Sequence, residues 1–193
     1  MSSSALIVLD FINDIAHLKG KIARSAERIE KNQVIQKANQ AIAHARKKHY
    51  FLIFVKVGFH PGYLECPKES PLFGAAEQQG ALLLGAWGTE FHEKLDFRET
   101  DLVVIKHRVN AFYSTPLEAI LRARHIQHLL VTGTATNMAV EHAAREAHDR
   151  DYLVTILQDA CETATEEAHR AALENMRRFC KVITVSQFHE LNL

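Results

Sequence analysis

Three places in the chain put proton-transfer or anion-binding groups at the end of an apolar run. Asp10 closes "ALIVLD", Lys106 closes "LVVIK", and "HLLV" leads into "GTATNMAVEHAARE" at residues 133–146. A carboxylate can move a proton, and a lysine ammonium can steady an anion beside it. The third place offers small residues and then an alanine-rich helix, with Thr136 or Asn137 as its N-cap. A helix N-terminus presents unpaired amides to an anion, and α/β proteins carry nucleophiles on such turns. Here Thr134, Ala135, Asn137 and Ala139 provide neither a thiol nor a serine hydroxyl. Each charge alone has an ordinary explanation, Asp10 as a cap or turn former and Lys106 as a solvated strand end. Three such features at three strand ends favour one shared site.

Convergence of the three requires a parallel sheet. Six apolar runs stand out: "ALIVLD" (5–10), "FLIFVK" (51–56), "LVVIK" (102–106), "HLLVTG" (128–133), "LVTILQD" (153–159) and "KVITV" (181–185). They are nearly continuous rather than alternating, as strands covered on both faces are. Between them, "NQVIQKANQAIAHARKK", "TPLEAILRARH", "NMAVEHAAREAHDR" and "TEEAHRAALENMRRF" repeat apolar residues at helical spacing. "TPLEAILRA" has a Thr cap, Pro at the first helical position and Glu118 three residues after Thr115, a capping-box pattern. Strands and helices in alternation predict right-handed crossovers and helices on both faces of the sheet. The segment from Val57 to Glu90 is long, rich in proline and glycine and holds Trp87, so it reads as a binding loop or lid.

The 193 residues suit a single domain spanning 1–193. Hydrophobic residues make up 47% and charged residues 24%, a globular composition. Lys+Arg and Asp+Glu both number 23, which argues against nucleic acid or an anionic membrane as partner. The opening "MSSSALIVLD" has no basic n-region and too short an apolar run for a signal peptide or membrane span. Cys66, Cys161 and Cys180 read as reduced thiols, and the expected location is cytoplasmic. Cys161 follows a strand in "QDACETA" and reads as a buried structural thiol. No His-x-x-x-His pair sets two metal ligands on one helical face.

"LIVLDFINDI", "VIKHRVNAFYSTPLEAIL" and "GTATNMAVEHAAREA" resemble, in that order, three motifs of the isochorismatase-like cysteine hydrolases. These are the N-terminal motif, the lysine motif and the nucleophile elbow of that superfamily. The resemblance spans nearly the whole chain. It implies a three-layer α/β/α sandwich with a six-stranded parallel sheet, Rossmann-like, and a catalytic site of Asp10, Lys106 and residue 139. It further implies a non-proline cis peptide between Thr134 and Ala135, with the backbone N–H groups of Ala135 and Ala139 forming an oxyanion hole. Homo-oligomers, dimers or larger, are implied too, with the 57–90 loop placed to complete a neighbour's pocket.

Where the family pattern carries its cysteine, this chain has Ala139. A methyl group cannot form the thioester of the amidase mechanism. Three explanations follow. A Cys→Ala replacement would trap a substrate of an amide or ureide hydrolase. Alternatively, hydrolysis proceeds without covalent catalysis, as in the branch of the superfamily that cleaves a vinyl ether, where the aspartate acts as acid; Asp10 would then have to be protonated, which burial favours and Lys106 opposes. Finally, a catalytically silent protein would keep the pocket to bind a small molecule.

Zinc-dependent nicotinamidases carry Asp-Trp-His-Pro after the second strand. The matching "GFHP" (58–61) keeps His60 and Pro61 but has Gly58 at the carboxylate position, so neither a metal, another cofactor nor nicotinamidase activity is expected. Phe11, Asn13, His60, Trp87, Phe112, Tyr113 and Asn137 are the candidate substrate contacts, the aromatic members forming a wall for a small planar molecule.

Overall fold

In a computed structural model, which describes residues 3–190, every residue of Ser4–Leu9 is buried. A strand is buried on both faces when helices cover both sides of its sheet. This strand, β1, is joined by β2 (Phe51–Val57), β3 (Leu102–Lys106), β4 (His128–Thr134), β5 (Leu153–Glu162) and β6 (Lys181–Ile183). All pairings are parallel, in the order β3-β2-β1-β4-β5-β6. The order reverses between β1 and β4, where open α/β sheets leave a crevice at the strand carboxyl ends.

Among the described residues, eight α-helices accompany the strands: α1 (Asn13–Ala16), α2 (Ala26–Lys31), α3 (Val34–Lys47), α4 (Ala76–Gln79), α5 (Leu117–Ala123), α6 (Glu141–Asp149), α7 (Glu166–Met176) and α8 (Val185–Glu190). The spacing of Val34, Ile35, Ala38, Ala41, Ile42 and Ala45 gives α3 one apolar stripe. That stripe packs on Leu6, Val8 and Phe54, with Phe188 of α8 completing the layer. On the opposite face Leu117, Leu121, Ala143, Ala144, Ala147 and Leu173 of α5, α6 and α7 meet Ala5, Ile7 and Leu9. The result is the expected three-layer α/β/α sandwich. Among the described residues no helix is long and apolar enough to cross a membrane.

Three local expectations need correction. β5 runs to Glu162, past Asp159, because its pairing with β4 slips: Val131 opposes Ile156, yet Gly133 opposes Cys161. β6 stops at Ile183 because Thr184 turns the chain into α8, its Oγ accepting the Gln187 N–H at 3.2 Å. At 115–118 the capping box does not form, because the helix starts at Leu117 with Pro116 in the N-cap position and no side-chain cap. Thr115 Oγ accepts the Leu117 N–H at 3.3 Å, whereas Glu118 pairs with Arg122 and Arg150.

The segment from Val57 to Glu90 is packed rather than loose. Phe59, Tyr63, Phe73, Ala81 and Leu82 form a third apolar cluster, and Tyr63 OH donates to the Ala81 carbonyl at 2.8 Å.

Gly133 sets how closely β4 approaches β1 at the crevice. Its φ is +149°, and a Cβ there would lie 2.4 Å from the Leu9 carbonyl oxygen and 2.5 Å from Leu9 Cβ. No side chain fits against backbone at that distance. Gly133→Ala is therefore expected to cost about 1–3 kcal/mol. In a thermal melt this should appear as a fall of roughly 3–10 °C; an unchanged melting temperature would mean the two strand ends can separate freely.

Candidate active site

The chain leaves β1 in a left-handed conformation at Asp10, φ +56°, a state that aspartate tolerates better than most residues. Asp10 N–H donates to the Val55 carbonyl at 2.9 Å, and Asp10 Oδ1 accepts the Val57 N–H at 2.9 Å. The carboxylate thus ties the end of β1 to the end of β2. Its second oxygen, Oδ2, meets Lys106 Nζ at 2.8 Å. Lys106 reaches across from β3 and also donates to the carbonyls of Val109, at 3.0 Å, and Arg108, at 3.3 Å. All three ammonium hydrogens therefore have acceptors. The relative exposures are 3% for Asp10 and 1% for Lys106, so this is an ion pair removed from water. Burial pushes the Asp10 carboxyl above its ordinary value, against the opposing pull of Lys106 and the Val57 amide.

The elbow lies beside this pair. The Thr134–Ala135 peptide is cis, and Thr136–Val140 forms a π-helical turn that runs into α6. Ala135, in extended conformation, occupies the N-cap position without a side-chain cap. Thr136 and Asn137, the expected caps, are engaged elsewhere. Thr136 Oγ lies 2.9 Å from His169 Nδ1, and Asn137 Oδ1 accepts the Thr163 hydroxyl at 2.7 Å. Ala139 is buried and faces the same space as Asp10 and Lys106.

That space is a cavity of about 300 Å³. Its floor is Asp10, Lys106, Thr134, Ala135 and Ala139, and its walls include Ile15, Ile22, Leu72, Phe73, Leu82, Val109 and Met138, with Arg24 and Ser25 on one side and Asn137 and Thr163 on another. The Thr134 hydroxyl is buried without a protein partner among the described residues. Asp14 organises much of the wall. Its carboxylate accepts the N–H groups of Leu82, at 2.7 Å, and Lys21, at 3.2 Å, and its carbonyl accepts that of Ile22 at 3.0 Å. On the far side Arg28 and Asn32 grip Glu162, which also accepts the Thr163 N–H at 2.9 Å.

Of the candidate substrate contacts, only Asn137 lines this cavity. Phe11 is fully buried in the core on the α3 face, and Phe112 in the core on the α5 face. Asn13 donates to the Trp87 carbonyl at 2.9 Å as a structural tie. Trp87 stands edge-on to His17, and Tyr113 sits in a shallower neighbouring groove. Adjacency to a motif in sequence did not put these rings in the pocket, because the apolar core claimed them or a turn carried them away. Phe73 and Leu82 come from the 57–90 segment read as a binding loop, and Val109 from the lysine motif, although none was singled out; Arg24, Ser25 and Thr163 had no sequence signal.

His60 is exposed and away from the cavity, paired with Glu65. The fold also brings His107 close, its Nδ1 2.6 Å from the Gly58 carbonyl, so the two imidazoles and Glu65 are near enough to share one cation. Gly58 could not carry a carboxylate without disturbing Leu84, whose Cδ2 would lie 2.5 Å from a Cβ there. The donor set thus differs from the aspartate-and-histidine motif, and none of its members lines the cavity.

Residues 4–187 match the family model described as "Isochorismatase domain". The chain is 34% identical over 200 residues to a ureidoacrylate amidohydrolase, RutB, from Enterobacter sp. (strain 638), covering 96% of this chain and 87% of that one. Its fold is shared with an isochorismatase family protein from Desulfovibrio vulgaris (TM-score 0.88, 21% identity, 98% of each chain). It is shared also with N-carbamoylsarcosine amidase from Thermoplasma acidophilum (TM-score 0.75, 22% identity, 94% of this chain and 96% of that one).

Removing the cation from the pair gives a pH-dependent test of the site. In Lys106→Met the Asp10 carboxylate is buried without a counter-ion, and its folded-state pKa rises further above the ~3.9 of the unfolded chain. A raised carboxyl favours folding only while protonated, so stability is lost as pH climbs through the folded pKa. The expected penalty is about 3–5 kcal/mol at neutral pH, shrinking toward pH 5. Urea midpoints from pH 5 to 8 measure it; a deficit independent of pH would show that Asp10 and Lys106 are not a charged pair.

Proposed function

The chain belongs to the isochorismatase family of hydrolases, and on that premise we propose that it hydrolyses a C–N bond of a small amide or ureide without a covalent intermediate. The observation that carries this reading is the buried Asp10–Lys106 pair in one cavity with the methyl group of Ala139. A methyl group is not a nucleophile, but it is smaller than a thiol-bearing side chain and leaves space for a water above the elbow. Similarity to a ureidoacrylate amidohydrolase supports the amide or ureide class.

In the proposed reaction the Asp10 carboxylate takes a proton from water as the water oxygen bonds to the substrate carbonyl carbon. A carboxylate raised by burial is a stronger base than an ordinary one. The N–H groups of Ala135 and Ala139 hold the resulting oxyanion. The proton then passes from Asp10 to the leaving nitrogen, the C–N bond breaks, and an amine and a carboxylic or carbamic acid depart. Lys106 orients Asp10 and keeps the site's charge balanced while the proton moves.

The upward shift of Asp10 favours a second reading, acid-catalysed cleavage of a vinyl ether. There the Asp10 proton goes to the enol ether carbon, water adds to the oxocarbenium ion and returns a proton to Asp10, and the hemiketal so formed collapses, breaking its ether C–O bond to release an alcohol and a ketone.

An assay of the intact chain against ureido acids, simple amides and isochorismate separates these readings. Ammonia or amine release from a ureide is expected, with Asp10→Asn lowering turnover roughly 10²- to 10⁴-fold while the melting temperature holds. Isochorismate turnover alone would establish the vinyl ether reading. Absence of any turnover, with ligands raising the melting temperature, would make the chain a binding protein.

The elbow can be tested separately by supplying the thiol. Burial pushes Cys161 and Cys180 up to about 12 and raises Cys66 as well, so all three native thiols should alkylate slowly. A cysteine at 139 would instead sit beside Lys106 at the start of a helical turn, which favours thiolate. Ala139→Cys is expected to react with iodoacetamide near neutral pH much faster than the native cysteines, with its pKa below the ~8.5 of a free thiol. Alkylation at the rate of an ordinary thiol, with the protein folded, would count against an anion-stabilising elbow.

A further inference from the structure

We propose that Arg24 selects for an anionic substrate by binding a carboxylate of the molecule; this rests on the hydrolytic reading of the cavity. The argument begins with charge. Asp10 and Lys106 line the cavity but neutralise each other at 2.8 Å. Among the described residues Arg24 is the one other lining side chain with a full charge, which gives this lining a surplus positive charge.

Arg24 is also free to use that charge. Among the described residues its guanidinium has no hydrogen-bond or ion-pair partner. Arg28, four residues on, is consumed by Glu162 and Glu166, at 3.1 and 2.6 Å. Nor is Arg24 on a loose strap. The preceding turn is fastened by the Lys21 and Ile22 amides on Asp14, and the Arg24 N–H donates to the Ile22 carbonyl at 2.8 Å. Asp14 holds Leu82 on the same wall, so the guanidinium is rooted at a defined place relative to the apolar surface.

That surface makes the charge effective. Ile22, Leu72, Phe73 and Leu82 give the lining an apolar stretch, and a planar guanidinium meets a carboxylate with two parallel hydrogen bonds. Asn137, also on the lining, turns its Oδ1 to the Thr163 hydroxyl, which leaves its Nδ2 as a second donor. The cavity thus offers a neutralised ion pair and, at Arg24, one cation without a protein partner among the described residues. A small acid with a carbonyl group at one end and a carboxylate at the other matches both.

Two probes with no bond to hydrolyse test this on the full chain: 4-oxopentanoate, which has the carbonyl and the carboxylate, and 2-pentanone, which has the carbonyl alone. By calorimetry the wild type should bind 4-oxopentanoate at least tenfold more tightly than the ketone. Arg24→Gln should weaken 4-oxopentanoate binding roughly tenfold to a hundredfold, leave 2-pentanone unchanged, and abolish the preference. Arg24→Lys should keep part of it, since the charge remains and the paired hydrogen bonds do not. Arg24 is exposed, and the melting temperature of each variant checks the fold. Equal binding of the two probes by the wild type, failure to bind the anion, or undiminished anion binding by Arg24→Gln would overturn the proposal. Since neither probe turns over, this outcome does not depend on ureide hydrolysis, and failure of the ureide assay would leave the binding result standing.

Discussion

The site is built around a buried ion pair, and a buried ion pair is an expensive thing to keep. Desolvating a carboxylate and an ammonium costs several kcal/mol each, and their attraction offsets this only when the remaining hydrogen-bonding groups are satisfied. Asp10 and Lys106 meet that condition. The carboxylate also accepts the Val57 amide, and the ammonium also donates to two backbone carbonyls. Those carbonyls belong to Arg108 and Val109, so the lysine that balances Asp10 also pins the turn after β3. Val109, on that turn, is part of the cavity wall. One electrostatic requirement therefore fixes the ends of β1, β2 and β3 and a piece of the pocket together.

The remaining walls are held by the same device at smaller scale. Asp14 is almost fully buried, and its carboxylate oxygens accept amides from two separate segments, around Lys21 and Leu82. Glu162, equally buried at the end of β5, holds Arg28, Asn32 and the amide of Thr163. Each acid joins parts of the chain remote in sequence, and each partner is a hydrogen-bond donor that a buried carboxylate needs. Loops that would otherwise be adjustable become rigid walls, which a site needs if it is to position a small substrate.

These relations explain what could be read from the chain. The strands were legible because both faces of a parallel sheet are covered, which leaves uninterrupted apolar runs. Asp10, Lys106 and the 134–139 turn were legible because each interrupts or follows such a run at its carboxyl end. The walls were not. Leu82 and Arg24 are separated by more than fifty residues, and only the acceptor oxygens of Asp14 relate them. Phe11 illustrates the opposite error: it stands next to Asp10 in sequence, yet it is buried in the core on the α3 face. Periodicity reports which face of an element is apolar, whereas pocket membership depends on tertiary ties made by single polar atoms.

This separation of parts bears on how residue 139 can be alanine in an otherwise complete arrangement. The ion pair is satisfied by backbone groups of β2 and the 108–109 turn, and the elbow by Gly133 and the bonds of Thr136 and Asn137; the side chain at 139 contributes to none of them. A thiol or a methyl there leaves the surrounding hydrogen bonds unchanged, so the nucleophile is a replaceable part of the site and the charged scaffold is not. What changes with the thiol is the demand on Asp10. In the proposed reaction, Asp10 beside a cysteine would need only to accept a proton from an acidic group, but beside alanine it would draw one from water, a far weaker acid. Burial acts in the direction that such a reaction would require, because it raises the basicity of the carboxylate, while Lys106 pulls the other way. The balance between those two opposing influences, more than the identity of any single wall residue, sets whether water can replace the thiol here.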